Sequence, residues 1–541
     1  MKSYIKNIFP AAALALTLGM TSCSDVLEIS PKDPDVVTKI TPSQLFNKCY
    51  ANIGTAGQGG ANGDCDIDGL DGGTTGYVRQ LFNANELTTD EAICGWGDEG
   101  ISAFDYCNYD ASHPMLRGFY YRLAFGVTVC NEYLTEFGDN DATMSAEVRF
   151  LRALNYYELM DCFGNVPFTT VVGETPKQIK RADLYAWLEK ELLEVEGSLS
   201  EAKPKTSSDA GYGRVDKAAA WLLLARLYLN AEVYTGKAEW AKAQEYAKKV
   251  MDSKYQLYTT AKTDAEGQKW SAYQQLFMGD NGENGSSVEA IFPILQDGKN
   301  TTSWGTTLFL MAGATDANVV MKKDGKTTGV GTTESWGGNR CRPDLLAKFF
   351  PNNDAPEANA YMMPKNAGDD RAIFDGVGRK LENTEVGSFT NGYATCKFNN
   401  FRTDGKQGNS SQFPDADFYF LRSAEAYLIY AEADARINNG GTTTAGTEAI
   451  NALRKRANAT TKTTSYSLRE ICDEWSREFY FEGLRRPTLI RFGYFGGNNN
   501  YKWQWKGGTI EGKSFSATKN IFAIPTQDLT VNPNLKQNTG Y

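Results

Sequence analysis

Histidine is almost absent from this sequence. The 541 residues include one, His113, directly before Pro114. Metal sites made of several imidazoles are therefore excluded, and a histidine-dependent catalytic triad could use only this one residue. We interpret His113 as a structural residue.

Basic residues are too few for a protein that binds nucleic acid. Lysine and arginine number 56 against 66 aspartates and glutamates, so the formal net charge is −10. Recognition of nucleic acid needs concentrated positive charge. No proline- or serine-rich linker divides the chain either, and residues 23–541 are predicted to form a single body.

Apolar runs long enough to cross a membrane are also missing. The run Ala11–Met20 is shorter than the roughly 20 apolar residues of a membrane-spanning helix. It follows two lysines and ends in Met-Thr-Ser-Cys, so residues 1–22 resemble a bacterial lipoprotein signal peptide. Lipidation of Cys23 would then anchor the protein to a membrane. The alternative is an ordinary signal peptide with an incidental cysteine.

Neither the other cysteines nor the aspartates form a complete metal motif. The later cysteines include no C-x-x-C pair, and the sequence does not decide whether Cys94 bridges Cys65 or Cys107. Residues 64–69 (D-x-D-x-D-G) open like an EF-hand loop, but Thr75 stands where a bidentate glutamate belongs. We predict no metal and no cofactor.

The chain is organised around a helical hairpin at residues 216–252. Its first run is apolar almost all round and its second is amphipathic, so neither could bury its apolar surface alone. The break at residues 235–237 is short enough to place the two helices antiparallel. The motif Trp221/Leu224/Ala225/Tyr228 fits the tetratricopeptide pattern W-x2-L-G-x2-Y, with alanine for glycine.

Similar spacing recurs twice, at Phe150/Ala153/Leu154/Tyr157 and at Phe420/Ser423/Ala424/Tyr427. Since these matches lie much further apart than a repeat of about 34 residues, long insertions must separate the units. The predicted fold is mostly α: degenerate tetratricopeptide-like helical repeats with a long loop-rich lobe that contains a few short strands. The scaffold is expected at about 41–54, 117–252 and 417–482, and the insertions at about 55–116 and 253–415.

Local patterns predict individual elements of this scaffold. Helices are expected at about 117–137, 143–163, 181–199, 417–438 and 446–458, and a strand at 288–295. A further helix should begin at Ser467, where Ser467 and Glu470 form a capping box. The glycine-rich run between Gly54 and Gly76 contains no G-K-[ST], so it is not a phosphate-binding loop. We interpret it as a flexible wall of a binding site.

Three tryptophans in polar loops suggest a surface that binds carbohydrate. The apolar C–H faces of a pyranose settle on an indole ring, while neighbouring polar groups bond its hydroxyls. A single loop tryptophan is more often a packing residue, but three with such neighbours favour binding. The clusters are Trp96 with Asp98 and Glu99, Trp304 after Asn300 and Ser303, and Trp336 before Asn339 and Arg342.

A glycoside hydrolase is the enzymatic alternative. It would need two carboxylates about 5–9.5 Å apart across the scissile bond. No local motif among the 66 acidic residues nominates such a pair. We therefore predict a protein that is not an enzyme.

Five segments resemble the SusD/RagB family of outer-membrane glycan-binding lipoproteins of gut-type Bacteroidetes, and particularly its starch-binding founding member. The match runs from the Met-Thr-Ser-Cys segment to the C-terminus, and these segments are its specific part: GYVRQLFNANELTTDE, AEVRFLRALNYYELMDCFGNVPF, GRVDKAAAWLLLARLYLNAEVYTG, DEWSREFYFEGLRRPTLIRFG and NPNLKQNTGY. The resemblance implies a helical-repeat scaffold with a loop-rich lobe that carries the sugar site. It also implies association with a TonB-dependent (SusC-like) outer-membrane transporter.

By position, the resemblance places Trp96, Trp304 and Trp336 in the family's sugar-binding aromatic arc and assigns polar contacts to Arg79 and Asp71. The sequence also departs from the founding member. Cys94 replaces an aromatic residue of the arc, Glu99 replaces an asparagine and Trp304 a tyrosine, while Gly282 and residues 442–444 occupy the place of acidic residues near a metal.

The function expected from these observations is non-catalytic binding of an α-glucan, starch or maltooligosaccharide, at the cell surface. The bound glycan would be delivered to the outer-membrane transporter. Two alternatives remain open: the same scaffold could bind another glycan, such as a fructan or xyloglucan, or the protein could be a surface hydrolase.

Overall fold

The structure is a computed structural model that describes residues 39–68, 70–326 and 328–541. The predicted signal peptide and the lipidation site at Cys23 lie outside these residues. By their contacts, residues 46–541 form one unit, and the described residues before them, 39–45, are assigned to another. No helix of the described residues is both long and apolar enough to cross a membrane.

The fold is mostly helical, which confirms the predicted class. Its longer helices are Pro42–Gly54, Pro114–Phe137, Ala142–Phe163, Arg181–Glu196, Lys217–Leu229, Trp240–Met251, Ser423–Ile437, Thr444–Arg456 and Leu468–Phe479. Single-turn or two-turn helices fill much of the remainder: Gly72–Thr75, Tyr77–Phe82, Ile101–Asp105, Ala231–Thr235, Ala272–Gln275, Thr307–Ala312, Pro343–Leu346, Met363–Ala367, Arg485–Arg491 and Thr526–Val531.

The strands are short and occur in antiparallel pairs. The pairs are Ala92–Cys94 with Asn339–Cys341, Ala290–Ile294 with Phe418–Arg422, Val166–Phe168 with Lys177–Ile179, Lys262–Thr263 with Lys269–Trp270, and Phe374–Asp375 with Ala394–Thr395. Most of the individual strands lie in the region 253–415. This region contains only short helices, as the sequence predicted.

The central hairpin forms much as its pattern predicted. Helix Lys217–Leu229 begins after Asp216, whose carboxylate accepts a hydrogen bond from the Ala218 N–H, and nearly every side chain of this helix is buried. Helix Trp240–Met251 packs against it and against Ser423–Ile437. The prediction missed one detail, because the first helix ends at Leu229 and a separate short helix, Ala231–Thr235, precedes the break.

The third repeat match is only partly helical. Phe420 lies in strand Phe418–Arg422, which pairs with Ala290–Ile294, and the helix begins at Ser423. The prediction of a helix from residue 417 was therefore wrong at its start. The expected strand at 288–295 is confirmed, and it is the partner of strand Phe418–Arg422. The predicted capping box of Ser467 and Glu470 is also present.

A helical segment that the sequence did not predict leads toward the tryptophans. Helix Tyr77–Phe82 continues into a π-helical turn, Asn83–Leu87, whose five side chains are all buried. Ala84, Glu86 and Leu87 are good helix formers but Asn83 and Asn85 are weak ones, so local propensity does not specify this turn. Burial in the tertiary structure determines this turn.

The cysteines and aspartates are used structurally. All nine cysteines of the described residues are free thiols, so neither of the two possible bridges at Cys94 is formed there. In the aspartate-rich segment, Asp66 pairs with Lys48 at 2.7 Å and with Arg122 at 3.0 Å. The described residues contain no group of three or more histidine, cysteine or acidic side chains arranged to hold a metal ion.

Candidate glycan-binding site

The three loop tryptophans lie side by side. The ring centroid of Trp336 is 6.5 Å from that of Trp96, with 53° between the ring planes. On its other side it is 6.2 Å from that of Trp304, with 38° between the planes. All three indoles are partly exposed. We refer to Trp96, Trp336 and Trp304 together as the platform.

A short β-ladder places Trp96. Strand Ala92–Cys94 pairs with Asn339–Cys341, and the Gly95 N–H donates to the Gly338 carbonyl at 3.1 Å. Gly338 lies directly against the indole, since a Cβ there would stand 2.2 Å from Cε2 of Trp96. Only glycine leaves room for this approach. Phe309 supports the ring edge-to-face at 6.0 Å.

Trp336 is fixed at the end of helix Thr307–Ala312. Its backbone N–H donates to the Ala312 carbonyl at 2.7 Å, which uses an acceptor that the helix end leaves free. Its indole N–H donates to a carboxylate oxygen of Glu334 at 2.7 Å. Backbone and side chain are therefore held independently.

Trp304 connects the platform to the glycine-rich segment. Its indole N–H donates to the Ala61 carbonyl at 3.1 Å. Phe413 meets the ring edge-to-face at 4.9 Å and belongs to a small buried apolar cluster with Leu308 and Ala312. Ala61, Trp304 and Trp336 pack on this cluster. The segment between Gly54 and Gly76 does adjoin the candidate site, as the sequence suggested.

The guanidinium of Arg79 borders the platform beside Trp96. The Arg79 guanidinium carbon lies 5.7 Å from the Trp96 centroid and 5.3 Å from that of Phe309, within cation–π range. Burial lowers the pKa of Arg79, and the nearby carboxylates of Asp98 and Asp71 partly oppose this effect. Since the ordinary pKa of arginine is far above neutral pH, the guanidinium stays charged.

Asp71 is exposed and caps helix Gly72–Thr75. Its carboxylate accepts the Thr74 N–H at 2.9 Å and also the Thr74 hydroxyl. Partial burial would raise the pKa of Asp71, but these hydrogen bonds and the charge of Arg79 outweigh it, so the pKa is lowered. Glu99 is exposed in the turn after Trp96. Both carboxylates are accessible to ligand hydroxyls.

Asn339 occupies a different kind of position from the other predicted contacts. It is 1% exposed, in the strand opposite Cys94, so its amide does not reach the open face of the platform. Neither its Oδ1 nor its Nδ2 has a hydrogen-bond partner among the described residues. A Cβ on Gly313 would lie 3.0 Å from Nδ2 and 3.2 Å from the Trp96 ring, which places this amide close to that indole.

The structure adds residues that the sequence did not nominate. They support the platform from below or from its rim: Phe309, Phe413, Ala61, Glu334 and Gln412. Phe309 lies in an apolar run typical of a core. The roles of Ala61, Gln412 and Phe413 depend on contacts distant in sequence. Glu334 is only two residues from Trp336, but no motif marks it.

The single histidine holds the turn that follows Glu99. His113 is buried; its Nε2–H donates to the Gly100 carbonyl at 3.0 Å, and its Nδ1 accepts the Leu116 N–H at 3.2 Å. This pattern requires the neutral ring. Burial lowers the pKa of His113 to about 4. The predicted structural role of His113 agrees with these contacts.

We expect the free energy of unfolding to decrease in acid because of the buried, neutral His113. Its pKa of about 4 in the folded chain is below the ordinary 6.5, so the unfolded chain binds the proton more readily between these values. Stability is therefore lost as the pH falls from 6.5 to 4, by up to about 3 kcal/mol. In urea titrations the stability deficit of His113→Gln relative to wild type should shrink over this range. A deficit that is equal at pH 7 and pH 4.5 would contradict the assignment.

Comparison with known proteins shows which proteins this chain is similar to. Residues 377–541 match the model of the SusD family. Over 577 aligned residues the chain is 39% identical to the starch-binding protein SusD of Bacteroides thetaiotaomicron, and the match covers 99% of both chains.

Solved structures share the fold at lower sequence identity. The surface glycan-binding protein A of Bacteroides uniformis is 21% identical with a TM-score of 0.65, and the match covers 92% of this chain and 98% of that one. The surface glycan-binding protein A of Bacteroides thetaiotaomicron, solved in complex with laminarihexaose, is 19% identical with a TM-score of 0.62 and the same two coverages. At these identities the similarity establishes the fold alone.

Proposed function

The chain belongs to the SusD family, and from this premise we propose that it binds α-glucan chains of starch or maltooligosaccharides without cleaving them. The observation that carries the proposal is the platform: three partly exposed indoles in one continuous row, bordered by Arg79 and by the exposed carboxylate of Asp71. The 39% identity to a starch-binding relative supports the choice of α-glucan among possible glycans.

The platform suits a curved sugar chain. Successive indole planes turn by 53° and 38°, so the surface that they offer is bent. An α-1,4-linked glucan also curves along its length, whereas a β-1,4-linked chain is straight. In the proposed complex Trp96, Trp336 and Trp304 stack on neighbouring glucose rings, and each stacking contact buries apolar C–H groups against an indole face.

Polar groups at the border would select the hydroxyl pattern. Arg79 donates hydrogen bonds to sugar oxygens, while Asp71 and Glu99 accept them from hydroxyls. The amide of Asn339 is buried and has no hydrogen-bond partner in the described part of the chain. Asn339 would therefore act from beneath Trp96, by hydrogen-bonding a water molecule or by shaping the floor of the site, and not through the open face.

Location and partner complete the proposal. The lipobox at residues 20–23 and the family membership support a lipid anchor at Cys23 and a place on the cell surface, in the outer membrane. They also support delivery of the bound glycan to a TonB-dependent (SusC-like) transporter. Copurification of that transporter with the wild-type lipoprotein, and loss of membrane attachment in Cys23→Ala, would test these two parts.

Calorimetry with a panel of glycans tests the central part. We expect maltoheptaose to bind with a dissociation constant on the order of 10 μM to 1 mM. Inulin, xyloglucan oligosaccharides and cellohexaose should bind at least about tenfold more weakly, which is a difference of about 1.4 kcal/mol. Preferential binding of inulin or xyloglucan would overturn the choice of α-glucan. New reducing ends after incubation with starch would overturn the non-catalytic role.

A further inference from the structure

We propose that Glu334 is a positioning residue of the glycan site that fixes the plane of Trp336 through the indole N–H. Gln412 holds Glu334 in turn. The consequence for ligand choice rests on the proposed function, whereas the positioning itself concerns the free protein and can be measured without a ligand.

The two carboxylate oxygens of Glu334 have separate partners. Oε2 accepts the Trp336 indole N–H at 2.7 Å, and Oε1 accepts the amide of Gln412 at 2.8 Å. Hydrogen bonds to a charged acceptor are shorter and stronger than neutral ones. Glu334 is partly buried, so water competes less for these bonds than at an open surface.

Gln412 belongs to a segment that contacts both ends of the same indole pair. We define residues 410–413 as the brace. Its Ser411 carbonyl accepts the Thr333 N–H at 2.8 Å, one residue before Glu334. Its Phe413 packs edge-to-face on Trp304 at 4.9 Å. The Ser410 hydroxyl accepts the backbone N–H groups of residues 412 and 413, which holds the brace in a tight turn.

The brace therefore sets the angle between two sugar-stacking rings. Trp304 is located by Phe413, and Trp336 by Gln412 through Glu334. The 38° between these planes depends on both contacts at once. Without Glu334, the backbone of Trp336 stays bonded to Ala312, but its ring loses the only side-chain hydrogen bond that defines its rotation.

Without a fixed angle between the two rings, the preference for a curved glucan over a straight one should weaken more than stacking itself. A Trp336 ring that is held less firmly still offers an apolar face, so a straight glucan can engage it, while the curved chain loses a preorganised surface. We expect Glu334→Ala to bind maltoheptaose about three- to tenfold more weakly than wild type, with a smaller change for cellohexaose. The ratio of the two affinities is the specific readout.

The conservative variant should rescue binding. In Glu334→Gln the amide oxygen can still accept the Trp336 N–H, and Gln412 can turn its own amide to accept from the new NH₂ group. Binding should stay within about twofold of wild type. Glu385→Ala is the matched control, because Glu385 is exposed on the neighbouring loop, with 70% of its side chain accessible.

The decisive experiment combines ligand binding with a spectroscopic readout. Calorimetry with maltoheptaose and cellohexaose is run on wild type, Glu334→Ala, Glu334→Gln and Glu385→Ala, and again on Glu334→Ala in a Trp336→Phe background. Phenylalanine keeps an aromatic face but has no N–H, so the Glu334 substitution should have no further effect there, within about twofold. The ¹⁹F resonance of 5-fluorotryptophan at position 336 is recorded, without ligand, in each protein that retains Trp336.

Each outcome bears on one proposal. Two results together support the positioning role. The Trp336 resonance is shifted or broadened in Glu334→Ala, and Glu334→Ala weakens maltoheptaose binding in the wild-type background but not in the Trp336→Phe background. An unchanged resonance with unchanged binding overturns it, as does an equal loss in both backgrounds. If wild type binds no maltoheptaose, the proposed function fails, and the resonance alone decides the positioning role.

Discussion

Replacement of Trp336 by alanine should nearly abolish binding of maltoheptaose. Trp336 is the middle ring of the platform, 6.5 Å from Trp96 and 6.2 Å from Trp304. Its removal takes away one stacking face and also leaves the other two indoles without a neighbour between them. Central aromatic residues of this kind contribute at least about 2 kcal/mol, so the affinity should fall about 30-fold or more. Calorimetry measures the loss.

The control for this prediction is another partly exposed tryptophan. Trp240 opens helix Trp240–Met251, where Arg436 lies 5.7 Å from its ring, and it has no contact with the platform residues. Trp240→Ala should bind maltoheptaose within about twofold of wild type. Equal affinities of Trp336→Ala and wild type would show that the platform does not bind the ligand.

Replacement of Glu478 by alanine should cause the largest loss of stability. Glu478 is fully buried and accepts hydrogen bonds from three arginines: Arg422 at 2.7 Å, Arg371 at 3.3 Å, and Arg456. Burial alone would raise its pKa, but the three guanidinium groups lower the pKa to about 2. Alanine would leave three buried positive charges with one acceptor fewer each. A loss of about 3–5 kcal/mol is expected.

Urea denaturation at pH 7 measures this loss, and Glu478→Gln serves as a milder second variant that keeps the shape but not the charge. A surface glutamate is the matched control: Glu194 pairs with Arg149 at 2.6 Å but has 47% of its side chain exposed. Glu194→Ala should cost less than about 1 kcal/mol. If Glu478→Ala costs no more than that, the buried ion pairs contribute far less than their geometry indicates.

Acid should weaken the same cluster. The pKa of Glu478 is lower in the folded chain than its ordinary value, so its contribution is complete above about pH 4.5 and is lost as the pH falls toward 2. This window overlaps the one expected for His113 only between about pH 4.5 and pH 4, so the two effects can be separated by their pH ranges.

The scaffold could be predicted well because its signals are local. Helix Ala142–Phe163 follows a capping aspartate, Asp141, and has an apolar repeat of helical period. The capping box at Ser467 and Glu470 likewise involves residues three apart. Strand Phe418–Arg422 was mistaken for helix because its partner, Ala290–Ile294, is distant in sequence and nothing local announces the pairing.

In the candidate site, too, the residues with a local signal could be predicted and those that depend on distant contacts could not. Polar loop composition was enough to nominate Trp96, Trp304 and Trp336, which the structure brings together. Arg79 and Asp71 came from resemblance to the family. The contacts that orient the rings, such as Glu334 with Gln412, join segments with no pattern in common. Asn339 could not be recognised as buried, because its burial depends on the pairing of two short strands.

The most direct test of the central claim is ¹⁹F NMR of the whole protein labelled with 5-fluorotryptophan and titrated with maltoheptaose. The sequence contains 10 tryptophans, and single substitutions assign their resonances. We predict that the signals of Trp96, Trp304 and Trp336 shift together with one dissociation constant while the others stay in place. Binding that leaves these three signals unmoved, or that moves Trp187, Trp221 or Trp240 instead, would contradict the claim.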